Sequence, residues 1–312
     1  MVVSGRETSR NKVITTASFE AVHEDYARAM AWMSALGIRL EPGRTGHYGK
    51  VLGHWRDAYK TASKEEAQKV FPDFVSSALE IWDFIRIHRA FADVPVGQLN
   101  LIVEKLKKAV TGPLNAAEET PDTTMARNFL FEATVAALVH QPSCRLTAIL
   151  DAPSDTGVQF EEKKIWLECK RVTRISKIET NVRKASKQLE ETLQRMTGSR
   201  HRGLVALDVS KILNPGDDIY VASSDAELLR SIDGLMDDFV RNHREKWQRV
   251  YEKRSKKVIG TVVRFSFIAT SEARRLLVHA SQWAVIPRSG ISSTDEQLQR
   301  SLATAISSKF QR

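Results

Sequence analysis

The chain has 312 residues, of which 42% are hydrophobic and 27% charged. This composition is that of a globular protein large enough for two domains, and it excludes a disordered chain. The net charge of +9 favours a polyanionic partner without deciding for one. Two cysteines, Cys144 and Cys169, are too few for a disulfide scaffold or a structural zinc site. No apolar run approaches the roughly 20 residues of a membrane span or the core of a signal peptide, so we expect a soluble cytoplasmic protein with no membrane partner.

The first third of the chain predicts helices. Residues 1–14 are polar and predict a loose start, whereas apolar residues recur at helical spacing from about 18 to 110. Ser63 and Glu66 in "SKEEAQKV" form a capping box that predicts a helix start. The Gly-rich basic segment "GIRLEPGRTGHYGK" between these helical stretches is interpreted as a loop.

A domain boundary is expected in "TGPLNAAEETPDTT", Thr111 to Thr124, where Pro, Gly, Asn and acidic residues interrupt any period. We therefore divide the chain into an all-α N-terminal region, 1–120, and a second domain, 121–312.

The second half alternates between helices and strands. The apolar helix "MARNFLFEATVAALVH" precedes three strand-like runs, "CRLTAIL", "VQF" and "KIWLECKRV". A long helix, the strand "RGLVALDVSKIL", a charged helix over about 225–255 and the strands "KVIGTVVRFSFIAT" and "SQWAVIPR" follow. This order predicts an α/β fold with a central mixed sheet flanked by helices.

Glu132 is the only charged residue between Phe129 and Val139. On a helix, Phe129, Val135 and Ala136 are its neighbours three or four positions away, so Glu132 lies on or beside an apolar face. A buried carboxylate requires a cation, a metal or a hydrogen-bond partner. The alternative, a boundary glutamate that reaches water, stays open.

Glu168 and Lys170 lie in an apolar strand and share one face with Trp166, because side chains alternate along a strand. Ile165, Leu167 and Cys169 face the other way, which favours a core position for the Cys169 side chain. A Glu-x-Lys pair on an exposed sheet face is also common, so a purely structural role stays open.

Asp155 lies where a loop enters the strand "VQF", and "EEKK" predicts a hairpin turn back into "IWLECKRV". The hairpin would bring Asp155 beside Glu168. Two close carboxylates repel each other unless a cation lies between them or one binds a proton, and Mg²⁺ suits oxygen ligands of this kind. Asp151 is the competing candidate, although it is closer to the end of the preceding strand.

In chain order, Glu132, Asp155, Glu168 and Lys170 resemble the PD-(D/E)XK nuclease superfamily, which includes restriction-type endonucleases and Holliday-junction resolvases. The sequence segments "ARNFLFEA…ECKRV…NVRKASKQL" are also similar to those of uncharacterised bacterial members. The resemblance covers about 125–285 and implies a restriction-endonuclease-like core and a setting in bacterial defence or repair. It also implies that the Cys169 carbonyl ligates the metal and that Gln188 touches the active site. A solvent-exposed glutamine is the alternative for Gln188.

The sequence departs from the family pattern at the Asp. The Pro-Asp of the family is here Pro153-Ser-Asp155, one residue looser. A literal Pro121-Asp122 precedes the Glu132 helix and comes too early to join the site.

Basic residues follow the candidate site. Between Lys163 and Lys187, nine Lys or Arg stand against Glu168 and Glu179. Such a density of cations suits a phosphate backbone. The residues expected to bind nucleic acid are Arg171, Arg174, Lys177, Arg183, Lys184 and Lys187. In a second basic stretch, Trp247 and Tyr251 either stack on bases or, as we favour, pack against the sheet.

The leading hypothesis is a nuclease that uses Mg²⁺, with Mn²⁺ as a substitute, to hydrolyse phosphodiester bonds of nucleic acid, with DNA favoured. Asp155 and Glu168 would hold the metal, Lys170 would position the attacking water or stabilise the developing charge, and Glu132 would bind a metal-linked water or a second ion. The alternative is a module of the same fold that binds nucleic acid or a protein without turnover. A homodimer is compatible with either hypothesis.

Overall fold

The computed structural model describes residues 18–308 with the exception of 59, 60, 62, 116, 117, 121, 216, 217 and 272–277. The polar start predicted for 1–14 and the Pro121 of the literal Pro-Asp pair lie outside the described residues. Among the described residues, no helix is both long enough and apolar enough to cross a bilayer.

The helical prediction for the N-terminal region is confirmed. It contains the helices α1 (Phe19–Ala35), α2 (Arg44–Ala58), α3 (Lys64–Phe91) and α4 (Asn100–Ala109). Helix α3 begins with the predicted capping box, in which the Ser63 hydroxyl accepts from the Glu66 N–H and the Glu66 carboxylate accepts from the Ser63 N–H.

The interpretation of "GIRLEPGRTGHYGK" as a loop was wrong for its second half, where α2 begins at Arg44. Glycine weakens a helix, but tertiary packing overrides this preference. Arg44, Tyr48 and Leu52 lie on one face of α2, and each is at most 1% exposed. The burial of this face stabilises α2 despite three glycines within it.

A mixed sheet of seven strands organises the second half of the described chain. The strands are β1 (Leu146–Ile149), β2 (Thr156–Phe160), β3 (Lys163–Arg171), β4 (His201–Asp208), β5 (Tyr220–Ala222), β6 (Val258–Ser271) and β7 (Val278–Pro287). Their order is β1-β2-β3-β4-β6-β5, with β7 also paired to β6. The β1–β2, β2–β3 and β6–β7 pairs are antiparallel, and the β3–β4, β4–β6 and β5–β6 pairs are parallel. The predicted α/β class with a mixed sheet is confirmed.

Five further helices accompany the sheet in the described residues: α5 (Met125–Leu138), α6 (Ile178–Arg195), α7 (Ser210–Leu213), α8 (Asp225–Glu252) and α9 (Ser293–Ser308). The sheet separates two hydrophobic clusters. One contains Leu167 and Cys169 together with apolar residues of α1 to α5 and α9. The other contains Trp166, Val205 and apolar residues of α6 and α8. The alternation predicted along β3 is therefore confirmed.

The N-terminal helices share the first of these clusters with the sheet. Tyr26 of α1 and Ile81 of α3 belong to the same cluster as Leu130 of α5 and Leu167 of β3. The predicted boundary near 120 separates a helical region from an α/β region, but the apolar core is continuous across it.

Candidate functional site

Asp155 immediately precedes β2 and lies beside β3. The last pair of the β2–β3 ladder is Thr156 with Leu167, so β3 continues past its partner. There the Cys169 N–H donates to Asp155 Oδ2 over 2.7 Å. The hairpin thus places Asp155 beside β3, as the sequence predicted. Asp151, the competing candidate, is exposed in the turn that follows β1.

The Lys170 ammonium lies close to the carboxylates of both Asp155 and Glu168. Its Nζ lies 3.5 Å from Asp155 Oδ2 and 3.4 Å from Glu168 Oε2. The Glu168 side chain is only 4% exposed, whereas those of Lys170 and Asp155 are 20% and 22% exposed. The cluster is therefore buried at Glu168 and open to solvent at Lys170 and Asp155.

The electrostatics of this cluster favour the protonated form of Glu168 and the charged form of Lys170. Burial, followed by repulsion from the Asp155 carboxylate, raises the pKa of Glu168 to about 8. Burial disfavours the Lys170 ammonium, but Asp155 and Glu168 more than offset this effect and raise the pKa of Lys170. Below about pH 8, Glu168 therefore holds a proton beside the Asp155 carboxylate and the Lys170 ammonium.

Glu132 faces the same region from α5, where it is paired with a lysine of the N-terminal region. Lys105 of α4 donates to Glu132 Oε2, and both side chains are about nine-tenths buried. Burial, followed by the Asp155 carboxylate, raises the pKa of Glu132, and Lys105 opposes the rise. Lys105 is thus the cation that the buried Glu132 carboxylate requires.

Sequence reasoning missed Lys105, although a signal was present. Lys105 is a cation on the buried face of α4, beside Ile102 and Ala109. It is the counterpart of Glu132, a lone charge on the apolar face of the next helix. Two lone charges of opposite sign on consecutive apolar faces indicate a buried pair.

Cys169 contributes its backbone rather than its thiol. The thiol is buried, and burial, followed by the Asp155 and Glu132 charges, raises the pKa of Cys169 far above its usual range. The Val172 N–H points to β4, where it donates to the Asp208 carbonyl. Because backbone groups alternate along a strand, the N–H and carbonyl of Cys169 both point the other way, towards Asp155. This direction is the one that the predicted role of the Cys169 carbonyl as a metal ligand requires.

The other predicted residues lie outside this cluster. Gln188 is exposed on α6, and among the hydrogen bonds of the described residues none joins it to Asp155, Glu168 or Lys170. Five of the six predicted nucleic-acid-binding residues are also exposed: Arg174, Lys177, Arg183, Lys184 and Lys187. The sixth, Arg171, is half-buried and forms a two-point contact with Glu119, at 2.7 and 3.2 Å.

Two aromatic residues that were considered for base stacking lie in the core. Trp247 and Tyr251 are both 0% exposed. The Tyr251 hydroxyl is 2.6 Å from Thr261 Oγ1 of β6. The favoured interpretation, packing of α8 against the sheet, is confirmed.

The residues present fit a divalent cation in part. Within the portion of the chain that the structure describes, no group of three or more His, Cys, Asp or Glu side chains is arranged to hold a metal ion. The fit rests on donor chemistry instead: two carboxyl groups share one ammonium, and burial, followed by the acidic neighbour Asp155, raises the pKa of Glu168. Asp155 and Glu168, with the Cys169 carbonyl, are the oxygen donors that would hold Mg²⁺.

The fold and the site define an α/β protein with a carboxylate–lysine cluster where β2 begins beside β3. Comparison of the chain with protein-family models, with curated proteins and with solved structures finds no match.

Proposed function

We propose that the protein is a metal-dependent nuclease, with DNA as the favoured substrate. The observation that carries the proposal is the convergence of Asp155 and Glu168 on Lys170. The chain order supports the finer proposal of a restriction-endonuclease-like core: Glu132 on α5, Asp155 at the start of β2, Glu168 and Lys170 on β3, and then α6.

Each residue of the cluster has a distinct task in this proposal. Mg²⁺, when bound, would polarise the scissile phosphate and acidify a water. Asp155 and Glu168 supply the negative charge that attracts the ion. Lys170, held between them, places an ammonium at the solvent-open side of the cluster, where it stabilises charge that develops on a phosphate. Glu132 adds negative charge from α5, and Lys105 fixes its orientation.

The exposed cations that follow β3 supply affinity for the phosphate backbone. Arg174 and Lys177 precede α6, and Lys184 lies on its exposed face. Arg183 and Lys187 are engaged by Glu179 and Glu191 on the same helix, so we expect them to contribute less. Binding should weaken steeply with salt, because phosphate contacts release counterions.

Cleavage assays on site variants test the proposal. We expect Glu168→Ala and Lys170→Ala each to reduce Mg²⁺-dependent cleavage by at least ~100-fold, since each removes a group that acts on the transition state. The assay would include plasmid DNA, single-stranded DNA and RNA, with Mg²⁺, Mn²⁺ or EDTA.

Matched controls separate the site from general damage. Asp155→Ala should abolish cleavage, whereas Asp151→Ala, four residues away and exposed, should leave it unchanged. Glu162→Ala is the matched control for Glu168→Ala, because Glu162 is exposed in the turn before β3. Wild-type rates in both Glu168→Ala and Lys170→Ala would reject the assignment.

A module that binds nucleic acid without turnover is the second candidate. It is favoured by the lysine partners, since Lys105 and Lys170 already pair with Glu132, Asp155 and Glu168. Salt-sensitive DNA binding that persists in EDTA, with no cleavage under any metal condition, would establish this candidate over the enzyme.

A further inference from the structure

A second charged cluster lies on the opposite face of β3 from Glu168 and Lys170. Arg171, Asp208 and Arg264 are register partners across β3, β4 and β6, so their side chains form a row on one face of the sheet. Helices α3 and α5 cover this row. Asp83 of α3 accepts two hydrogen bonds from Arg264 Nη2, at 2.6 and 2.9 Å.

A second ion-pair set lies beside this row. Glu80 of α3 accepts from Arg127 Nε of α5 over 2.7 Å, and its other oxygen lies 2.7 Å from Arg44 Nη1 of α2. Arg44, Glu80 and Arg127 are all buried. Charged groups are costly to bury without compensation, so the balance of charge in this region matters.

Charged side chains of both signs are concentrated in this region. Its four carboxylates belong to Glu80, Asp83, Glu119 and Asp208, and its six cations belong to Arg44, Arg86, Arg127, Arg171, Lys211 and Arg264. Burial lowers the pKa of Arg86 to about 10, and the Arg264 charge adds to this effect against the opposing Asp83. Burial, followed by Arg86 and Arg264, also lowers the pKa of His279 far below its usual range. Burial is the first cause of both shifts. The pKa values of Arg127 and Arg264 are raised despite burial, because Glu80, Asp83 and Asp208 more than offset it, so both guanidinium groups keep their charge.

A cavity of about 80 Å³ opens within this cluster. Arg127 and Arg264 line it together with their partners Glu80, Asp83 and Asp208, and the two arginines are only 4% and 2% exposed. Each keeps one guanidinium N–H group without a hydrogen-bond partner, at Nη1 of Arg127 and Nε of Arg264. The half-buried residues Arg171, Ser210 and Lys211 form the part of the lining nearer to solvent.

We infer that this cavity binds a phosphate group. Two buried guanidinium groups with unused donors and a lysine near the entrance match the chemistry of a tetrahedral oxyanion. The carboxyl ends of β3 and β4, which border the cavity, are also where open α/β sheets bind ligands. The phosphate is either a free ion or the terminal phosphate of a nucleic-acid strand. The inference does not depend on the proposed nuclease activity.

Calorimetric titration and thermal unfolding with inorganic phosphate test the inference on the full chain. We expect saturable binding and a rise in Tm relative to chloride at equal ionic strength. Lys211→Met and Arg264→Lys should weaken binding at least ~10-fold. Arg264→Lys keeps a charge opposite Asp83 and removes the Nε donor. If Arg264→Lys does not fold, the phosphate affinity of Lys211→Met tests the inference. The matched controls, Lys256→Met and Arg241→Lys, change exposed cations outside the cavity and should bind like the wild type.

The source of the phosphate is distinguished by competition. A DNA oligonucleotide with a 5′-phosphate that displaces inorganic phosphate, while its 5′-hydroxyl counterpart does not, would identify a strand end as the ligand. Displacement by neither would identify a free phosphate. Absence of saturable phosphate binding, or equal binding by wild type, Lys211→Met and Arg264→Lys, would overturn the inference and leave the cavity as a site for water.

Discussion

Glu168 combines deep burial with a second carboxylate in reach of the same lysine. A group whose pKa is about 8 in the folded protein and 4.5 in the unfolded chain holds a proton after folding that the unfolded chain releases between these values. Folding stability then falls as pH rises through this window, because the folded state binds more protons than the unfolded state does. Above pH 8 the loss is complete.

Replacement of Glu168 by Gln tests this sign. In the metal-free protein, the free energy of unfolding of Glu168→Gln should decrease less than that of the wild type between about pH 5 and about pH 9, since Gln cannot ionise. Urea unfolding across the pH range measures the difference. Glu179→Gln, on the partly exposed side of α6, is the control and should follow the wild type. Parallel curves for Glu168→Gln and wild type would contradict the raised pKa.

Close packing between β2 and β3 sets the geometry of individual elements near the site. Gly157 of β2 is the register partner of Trp166 of β3. A Cβ at Gly157 would approach two ring atoms of Trp166 to 2.7 and 2.8 Å. The ring cannot yield easily, because Trp166 is buried and its Nε1 donates to His201 Nδ1 over 3.2 Å.

The substitution Gly157→Ala should therefore destabilise the protein by about 1–3 kcal/mol, as overpacking of a filled core does. Gly234→Ala is the matched control. Gly234 lies within α8 with open space at its Cβ, so alanine there should stabilise by about 0.5–1 kcal/mol. Urea denaturation of both variants measures the contrast. A neutral Gly157→Ala would show that Trp166 moves aside at little cost.

Most elements could be predicted from sequence because their periodicity was strong. The apolar helix α5, the hairpin that leads into β3 and the amphipathic α6 combine clear patterns with turn residues at their ends. The sequence patterns do not predict β5, α7 or α9. Strand β5 has three residues and α7 has four, so both are too short for a periodic pattern to repeat. Helix α9 follows the last predicted strand.

The sequence predicts the contacts of the candidate site within the local hairpin, but not those between elements that are distant along the chain. Asp155, Glu168 and Lys170 are joined by a local hairpin, so their proximity follows from strand geometry. Lys105 is 27 residues from Glu132. Its approach depends on how α4 packs on α5, which no pattern within either helix specifies. The same holds for Asp83 and Arg264, which are 181 residues apart.

At the scale of the whole molecule, one apolar core joins the two halves of the chain. Buried residues of α1 to α5 and α9 belong to a single cluster with one face of the sheet, among them Tyr26, Leu130 and Ile306. The pairs between Asp83 and Arg264 and between Glu80 and Arg127 add polar contacts across the predicted boundary. Separate unfolding of the helical region would expose apolar surface on both halves.

We therefore expect a single cooperative unfolding transition. Scanning calorimetry should give a calorimetric enthalpy equal to the van't Hoff enthalpy, as for a two-state unit. Asp83→Asn, which weakens a contact between the halves, should lower Tm without splitting the transition. Two resolved transitions in the wild type would show that the halves unfold independently.

The pairing of Lys105 with Glu132 also has a consequence for protein engineering. A fusion that joins the carboxylate–lysine cluster to a programmable DNA-binding module would most simply be cut at the Pro- and Gly-rich segment near residue 120. That cut discards α4 and leaves Glu132 on a newly bared apolar surface without its cation. A fragment used in such a fusion must instead begin before Asn100, so that it includes α4 and Lys105 together with the cluster.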